Sequence, residues 1–201
     1  MRFIFKTSYL QDIRLARHGG HVFWYGLLGL ALLAAPWGLP EYWLAQLTFV
    51  LIYGIAALGL MLLSGYTGQF SLGHAAFLGV GAYTQALLTA MGWPFFLALA
   101  CAALLSAAVG IVVGLPALRV KGIYLAIATL AFGFIVEESF ARWESVTGGN
   151  KGIFLQPPQI MGHAFESSEG FYFLCLAIAV ACTLAILNLL RAPTGRAFVA
   201  I

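Results

Sequence analysis

The sequence LSGYTGQFSLGHAAFLGVGAY occupies residues 63–83 and lies inside a longer run, 42–118, that contains no Asp, Glu, Lys or Arg. An uncharged run of that length predicts membrane-embedded segments, since one spanning helix needs only about 20 apolar residues. Glycine weakens a helix by about 1 kcal/mol relative to alanine, so the closely spaced Gly65, Gly68 and Gly73 predict a break in the helix. Irregular backbone at membrane depth is tolerated only where protein buries it or water reaches it. The stretch therefore points to a transport path.

The composition of the whole chain is that of a membrane protein. Of its 201 residues, 62% are hydrophobic and 8% are charged, whereas soluble domains carry about 25% charged residues. The predicted fold class is all-α, a polytopic transmembrane helical bundle of about six spans with a glycine-rich helix break. The net charge of +3 does not indicate a nucleic-acid partner, because the basic residues lie where they would anchor helices to the lipid bilayer.

The predicted spans divide the chain into a short N-terminal segment and one membrane domain. The spans lie near Val22–Leu39, Trp43–Leu63, Ala75–Met91, Phe95–Leu115, Ile123–Phe140 and Phe171–Leu190. Residues 22–201 are accordingly predicted to form a transmembrane domain. Residues 1–21 are basic and are predicted to be cytoplasmic, as an interfacial helix or as a frayed tail.

Basic residues predict the orientation of the chain in the membrane. Most of them precede the first span, join the fourth to the fifth, or follow the sixth: Arg2, Lys6, Arg14, Arg17, Arg119, Lys121, Arg191 and Arg196. With six spans and a cytoplasmic N-terminus, all of these fall on the cytoplasmic side. The glycine-rich break then lies toward the cytoplasm, between the second and third spans. The loop 141–170 lies outside, and its Gly, Asn and Pro residues favour turns.

The polar residues of the break are the first candidates for function. The apolar run contains no Asp, Glu, Lys or Arg and a single histidine, His74, and such an ionisable group at membrane depth is a functional hypothesis by default. The alternative is that His74 forms hydrogen bonds with backbone freed by the break. Ser71 suits the N-cap of a helix predicted to begin near Leu72. Gln69 either lines a polar path or closes the turn, as do Tyr66 and Thr67.

Two carboxylates, Glu137 and Glu138, lie near the outer end of the fifth span. Glu138 and Arg142 are four residues apart, which predicts an ion pair on one helix face. The other interpretations of either glutamate are that its side chain extends to the membrane interface, or that it has a role in transport. If the chain were instead an ion-coupled carrier, these carboxylates and His74 would be the available ion or proton sites.

Several motifs are missing from the sequence. It has no Gly-x-x-x-x-Gly-Lys-Ser/Thr phosphate loop, no Gly-x-Ser-x-Gly element and no His-Glu-x-x-His pair. The three cysteines lie in apolar stretches without a Cys-x-x-Cys or His/Cys cluster, which favours small buried side chains over metal or redox chemistry. We therefore predict that the chain is not an enzyme and that it has no metal, catalytic residue or cofactor.

Several of these stretches resemble the LivM/LivH permeases of bacterial branched-chain amino acid ABC importers, and LivM more than LivH. The resemblance rests on the glycine-rich stretch, on LRVKGIYLAIATLAFG at 118–133, on TGGNKGI at 147–153 and on RAPTGRA at 191–197. It covers the chain from about residue 40 to the end. Long motifs in a fixed order are more specific than a single short one.

The resemblance implies a permease subunit in the bacterial inner membrane, with ATP hydrolysis on a separate subunit. Its partners would be a second, LivH-like permease subunit, cytoplasmic ATPase subunits and a periplasmic substrate-binding protein that delivers a branched-chain or related amino acid. Family members continue beyond this point, so the permease domain is expected to be incomplete at the C-terminus, as a fragment or a truncated gene product. The alternatives are a stand-alone channel or ion-coupled carrier, and a fragment that does not transport.

The resemblance and the residue patterns together give three groups of candidate residues. Those of the path or gate are Gly65, Gly68, Gln69, Ser71, Gly73 and His74. Those facing the binding protein are Gly148, Gly149 and Asn150, and those facing the ATPase are Arg191, Thr194, Gly195 and Arg196. We expect the break to act through close backbone packing, so that valine at Gly68 or Gly73 impairs transport more than glutamine at His74.

Overall fold

The computed structural model describes residues 19–117, 119–120, 122–155, 159–160, 163–164 and 167–199. Its helices are α1 (Gly19–Gly38), α2 (Glu41–Leu60), α3 (His74–Ala90), α4 (Phe95–Ala117), α5 (Ile123–Arg142), α6 (Glu144–Thr147), α7 (Ser168–Arg191) and α8 (Pro193–Val199). A π-helical segment, Met61–Tyr66, continues α2, and a 3₁₀ turn covers Gly149–Lys151. The predicted all-α membrane bundle is confirmed. The predicted N-terminal segment, 1–21, lies outside the described residues except for the start of α1.

A two-residue β-ladder interrupts the otherwise helical chain in the loop before α7. Strand β1 (Gln159–Ile160) pairs antiparallel with β2 (His163–Ala164), and Gln159 stands opposite Ala164. The ladder lies within the loop 141–170 that was predicted to be irregular. It is too short to form a layer of its own, so it does not alter the helical architecture.

Helices stand at all six predicted spans, but the number of spans is not confirmed. Among the described residues, four helices are long and apolar enough to cross a membrane: Glu41–Tyr66, Phe95–Pro116, Ile123–Arg142 and Ser168–Arg191. α1 contributes only the shorter apolar helix Val22–Gly38. α3 has 17 residues, which gives a length of about 26 Å, less than the roughly 30 Å of bilayer hydrocarbon. The break delays the start of α3 and so shortens it.

α7 packs against α1 and α2 at one end of the bundle. Tyr172 is fully buried there with Ala35, Leu44 and Leu176, and its hydroxyl donates a hydrogen bond of 2.8 Å to the carbonyl of Leu32. This bond satisfies the only polar atom of a buried aromatic side chain. The cluster therefore fixes how the ends of three helices meet.

α3 and α4 form a second closely packed pair. Ser106 on α4 donates a 2.8 Å hydrogen bond from its hydroxyl to the Phe77 carbonyl on α3. At the far end, the Gln85 amide donates to the Phe95 carbonyl at 3.3 Å, across the short turn that joins the helices. Side-chain hydrogen bonds between helices are a common means of association in the membrane, where apolar contact alone does not distinguish helix from lipid.

Much of the apolar surface of the helices is exposed. Leu30 on α1, Leu104 and Val112 on α4 and Ile123 on α5 are each 68–71% exposed. In a soluble protein such surface would be a liability. On helices of this length and composition it is the surface that lipid or neighbouring membrane helices cover.

Candidate functional site: the break between α2 and α3

The break begins where α2 widens into π-helical turns. Side-chain hydroxyl groups form hydrogen bonds with backbone carbonyls there. Ser64 donates to the Leu60 carbonyl at 2.8 Å, and Thr67 donates to the Leu63 carbonyl at 2.5 Å. Hydroxyl side chains that bond to the preceding turn bend helices, and π-helical turns occur often at functional sites. The polar residues of this stretch thus satisfy the backbone that the break frees.

Gly68 reverses the chain after the π-helical segment. Its φ angle is +67°, in the left-handed region that costs other residues about 1–2 kcal/mol. No atom of the residues that the structure describes lies within 4 Å of the position that a Cβ would take there, so conformation and not space favours glycine. The next amide, of Gln69, donates to the Leu63 carbonyl at 3.3 Å and closes the turn. Gly65 has neither restriction, because its Cβ would meet only the Met61 side chain, at 3.8 Å.

Gly73 makes the closest helix contact of the break. A Cβ placed on this buried residue would lie 1.9 Å from the carbonyl oxygen of Thr129 and 3.4 Å from the amide nitrogen of Gly133. Both of these are backbone atoms of α5, which cannot rotate away as a side chain can. The φ angle of Gly73 is −97°, so the requirement for glycine comes from close approach and not from conformation.

Thr129 holds the residue before this contact. Its hydroxyl oxygen accepts the Leu72 N–H at 3.0 Å and donates to the Ala126 carbonyl at 2.9 Å. One hydroxyl on α5 therefore satisfies an amide in the irregular stretch while it stays anchored to its own helix. The start of α3 is attached to the middle of α5 by this hydrogen bond and by the Gly73 contact.

The structure corrects the predicted role of Ser71. α3 begins at His74, its N-cap is Gly73, and no side chain in the described part of the chain caps it. Ser71 lies two residues before this N-cap, too early in the chain to serve the first turn. The predicted helix start at Leu72 was early because the contact with Thr129 and Gly133 keeps the chain non-helical through Gly73.

His74 packs its ring toward α2. A Cβ on Gly59 would lie 3.2 Å from His74 Nε2, and Phe77 meets the ring edge-on with the centroids 6.2 Å apart. Nδ1 is buried and has no hydrogen-bond partner among the described residues. The predicted hydrogen bond from His74 to freed backbone is therefore not made by this nitrogen, and the hydroxyl groups of Ser64 and Thr67 supply such bonds in its place.

A groove of about 380 Å³ opens beside Gly73, between α3 and α5. Its lining is apolar or glycine except for one carboxylate, Glu137. The lining residues are Leu72, Gly73, Ala75, Ala76, Gly79, Leu130, Gly133, Phe134, Val136, Glu137 and Phe140. Gly73, which was predicted as a site residue, therefore lines the same groove as Glu137. The sequence alone did not show that Glu137 and Glu138 have different surroundings.

The two glutamates of α5 have different surroundings. Glu138 pairs with Arg142 one turn on, as the spacing predicted. Glu137 has no ion pair or hydrogen bond among the described residues, and it faces the groove. Their different positions around the helix account for the difference, since neighbouring residues point about 100° apart.

The predicted outer loop is built around Thr147, which is 2% exposed. Its hydroxyl bonds to the carbonyls of Phe140 and Trp143 and accepts the Gly149 N–H at 3.2 Å. Gly148 has a φ angle of +73°, and a Cβ there would lie 2.4 Å from the Gly152 carbonyl. Gly148 and Gly149 thus serve the shape of the loop, and the side chain of Asn150 is exposed.

The candidate residues at the C-terminal end flank a tight turn between α7 and α8. α7 ends at Arg191, and Thr194, Gly195 and Arg196 lie in α8. Gly195 is buried, and a Cβ there would come within 2.4–2.6 Å of Leu189 and Leu190. Gly195 is therefore needed for α8 to fold back on α7.

Sequence reasoning missed the partners of the break. Thr129 and Gly133 are distant from it in sequence, Gly59 lies just before the π-helical segment, and each contacts the break in the structure. A signal was present for two of them, since a threonine and a glycine four residues apart form a small-residue face on the fifth span. Gly59 had no signal beyond being a glycine within an apolar helix.

The sequence of this chain is similar to those of known membrane proteins. Residues 42–201 match the family described as the branched-chain amino acid transport system / permease component. Two relatives are the high-affinity branched-chain amino acid transport system permease proteins LivM of Salmonella typhimurium and of Escherichia coli. They are 38% and 37% identical over an alignment 179 positions long, which covers 77% of this chain. The chain spans 42% of the length of each relative, and no solved structure matches it. Because the family match extends over most of the sequence, this multi-pass membrane chain belongs to the branched-chain amino acid permease family.

Proposed function

We propose that this chain forms part of the permease subunit of an ABC importer for branched-chain or related amino acids, in the bacterial inner membrane. The family match over residues 42–201 carries the proposal. The architecture supports it, since a break in a membrane helix that is tied to a neighbouring helix suits a translocation path. ATP hydrolysis belongs to separate cytoplasmic subunits, and the permease domain comprises residues 22–201.

The path or its gate lies at the break, and its residues are Gly65, Gly68, Gln69, Ser71, Gly73 and His74. The backbone contact between Gly73 and Thr129 supports this assignment, because it fixes the start of α3 against α5. The two backbones are so close that a single added Cβ at Gly73 would clash with the Thr129 carbonyl. Backbone that approaches this closely has few alternative arrangements. A substrate-dependent movement of either helix would therefore be transmitted to the other.

The loop that contains Gly148, Gly149 and Asn150 receives the periplasmic substrate-binding protein. Its internal hydrogen bonds give it a defined shape before any partner arrives, which lowers the entropy cost of docking. The exposed Asn150 and Lys151 side chains are then the groups available for contact. This assignment places the loop on the periplasmic side and the N-terminus in the cytoplasm.

The segment that carries Arg191, Thr194, Gly195 and Arg196 leads toward the ATPase. The buried Gly195 supports this role, because it sets the direction in which α8 leaves the membrane helix α7. A second, LivH-like permease subunit completes the path. Part of the exposed apolar surface on α4 and α5 is available for such a neighbour.

Uptake by the reconstituted complex tests this function. The complete permease is co-expressed with its neighbouring permease, ATPase and binding-protein genes, placed in proteoliposomes, and supplied with radiolabelled leucine, isoleucine or valine. ATP-dependent uptake that requires the binding protein is the expected result. Uptake driven by a proton or sodium gradient without ATP would identify an ion-coupled carrier, and absence of uptake with every aliphatic substrate would contradict the proposal.

A matched pair of loop variants tests the binding-protein assignment. Gly148→Ala introduces a Cβ that clashes with the Gly152 carbonyl, so docking of the binding protein is expected to weaken by about tenfold. Asn150→Ala keeps the loop shape and removes only an exposed amide, so it reports the contribution of the contact itself. Docking is measured by surface plasmon resonance on the complex embedded in nanodiscs. Normal docking by both variants would show that this loop is not the docking surface for the binding protein.

A further inference from the structure

The groove between α3 and α5 has the features of a small-molecule site. Its volume, about 380 Å³, is within the roughly 300–1,000 Å³ range of ligand pockets, which are mostly apolar with a few placed polar groups. Here the apolar part is supplied by residues such as Leu130 and Phe134, and the polar group is Glu137. Gly73, Gly79 and Gly133 also line the groove, where they allow α3 and α5 to approach closely, since a Cβ at each would meet Thr129, Phe140 or Gly73.

The Glu137 carboxylate forms no ion pair or hydrogen bond among the described residues, and its side chain is exposed at the groove. It lies five residues before the end of α5, about 7 Å along the helix axis from Arg142. Charged side chains in membrane-spanning segments usually face the bundle interior or a water-filled cavity, and many pair with an opposite charge. Arg142 does not serve, because it pairs with Glu138 on another face of α5.

We propose that Glu137 binds the ammonium group of an amino acid in transit, while its aliphatic side chain occupies the apolar part of the groove. The inference rests on the proposed function and adds to it a subsite within the path. A carboxylate beside an apolar cleft matches both parts of an aliphatic amino acid, and a charge-assisted hydrogen bond is stronger than a neutral one. The groove also begins at Leu72 and Gly73, so a substrate held there lies beside the break.

Substitution of the two glutamates tests the subsite in the complete transporter. Glu137→Gln keeps the shape and removes the charge, and is expected to lower ATP-dependent leucine uptake by about 10- to 100-fold. Assembly with the ATPase and the ATPase activity stimulated by loaded binding protein should remain. Glu138→Gln, on the neighbouring face, is the matched control and should leave uptake unchanged.

Cysteine labelling provides a readout that does not depend on transport activity. Ala75 lines the groove, whereas Ala82, exposed on the same face of α3 two turns on, does not. In a protein whose native cysteines are replaced by serine, Ala75→Cys is expected to react with a water-soluble maleimide more slowly when leucine is added. Labelling of the Ala82→Cys control should be independent of leucine.

The outcomes separate this subsite from other roles of the groove. Normal uptake by Glu137→Gln, or labelling of Ala75→Cys that ignores leucine, would overturn the proposal. Loss of assembly in Glu137→Gln with recovery in Glu137→Asp would also overturn it, because the carboxylate would then hold a neighbouring membrane helix. If the wild-type complex takes up no aliphatic amino acid, the proposed function fails, which is a different result from an inactive variant of a working transporter.

Discussion

Replacing Gly73 with alanine is expected to separate α3 from α5. The new Cβ would lie 1.9 Å from the Thr129 carbonyl oxygen and 2.8 Å from its carbon. Ordinary van der Waals contact begins at 3.4 Å, so the helices must move apart by about 1.5 Å. No side-chain rotation relieves the clash, because the opposing atoms are backbone.

The cost of this movement follows from two interactions. Overpacking at a close contact costs about 1–3 kcal/mol, and the shift also lengthens the hydrogen bond from Leu72 to Thr129, which contributes about 1 kcal/mol. We therefore expect Gly73→Ala to lower the free energy of unfolding by about 2–4 kcal/mol. Gly81→Ala, on the same helix, has nothing within 4 Å of its Cβ and should be neutral or stabilising by up to about 1 kcal/mol.

Reversible unfolding in mixed detergent micelles, followed by tryptophan fluorescence, measures both variants of the complete protein. Equal stability of Gly73→Ala and Gly81→Ala would refute the reasoning, because it would show that the contact with Thr129 is not maintained. In the transport assay, Gly73→Ala should also reduce uptake while Gly81→Ala does not. A stable Gly73→Ala protein with full uptake would show that the break is not part of the translocation path.

Three further predictions concern contacts that position the break and the bundle. Gly59→Ala should destabilise the protein when His74 is present but not in a His74→Ala background, and additive effects in this double-mutant cycle would contradict the contact between them. Thr129→Val should lower the free energy of unfolding by about 1–2 kcal/mol and speed hydrogen exchange at the Leu72 amide, whereas Thr129→Ser should preserve protection of that amide. Equal protection in the two variants would show that the Thr129 hydroxyl is not the acceptor of the Leu72 amide. Tyr172→Phe should cost about 1 kcal/mol by removing a buried hydrogen bond, measured by the same unfolding assay, and unchanged stability would argue against that bond.

Length and hydropathy were sufficient to predict the helices but not the number of spans. Each of the six predicted segments coincides with a helix to within a few residues, because an apolar run in a membrane leaves its backbone no other way to satisfy its hydrogen bonds. α3 shows the limit of this argument. Its predicted bounds, Ala75–Met91, agree with the helix His74–Ala90, but a helix of 17 residues is shorter than the bilayer core, so its bounds do not establish that it crosses the membrane.

The site was only partly predictable for a related reason. Glycine spacing located the break, and Gly68 has the backbone conformation that a turn glycine is expected to have. The reason for Gly73 was hidden, because it depends on Thr129, more than fifty residues away. Likewise, the four-residue spacing predicted the pair between Glu138 and Arg142, while only the packing of α3 against α5 shows that Glu137 faces a groove.

The two glycines on either side of the break limit it in different ways. At Gly68 a substitution strains one residue, and the surrounding space allows that strain to stay local. At Gly73 a substitution acts on two helices at once, since a Cβ on this N-cap of α3 would clash with backbone atoms of α5. His74, by contrast, contributes an aromatic ring to a contact with Gly59, and its Nδ1 has no partner among the described residues. Close backbone packing at Gly73, and not the chemistry of the imidazole, is therefore what fixes the position of the break against the groove that carries Glu137.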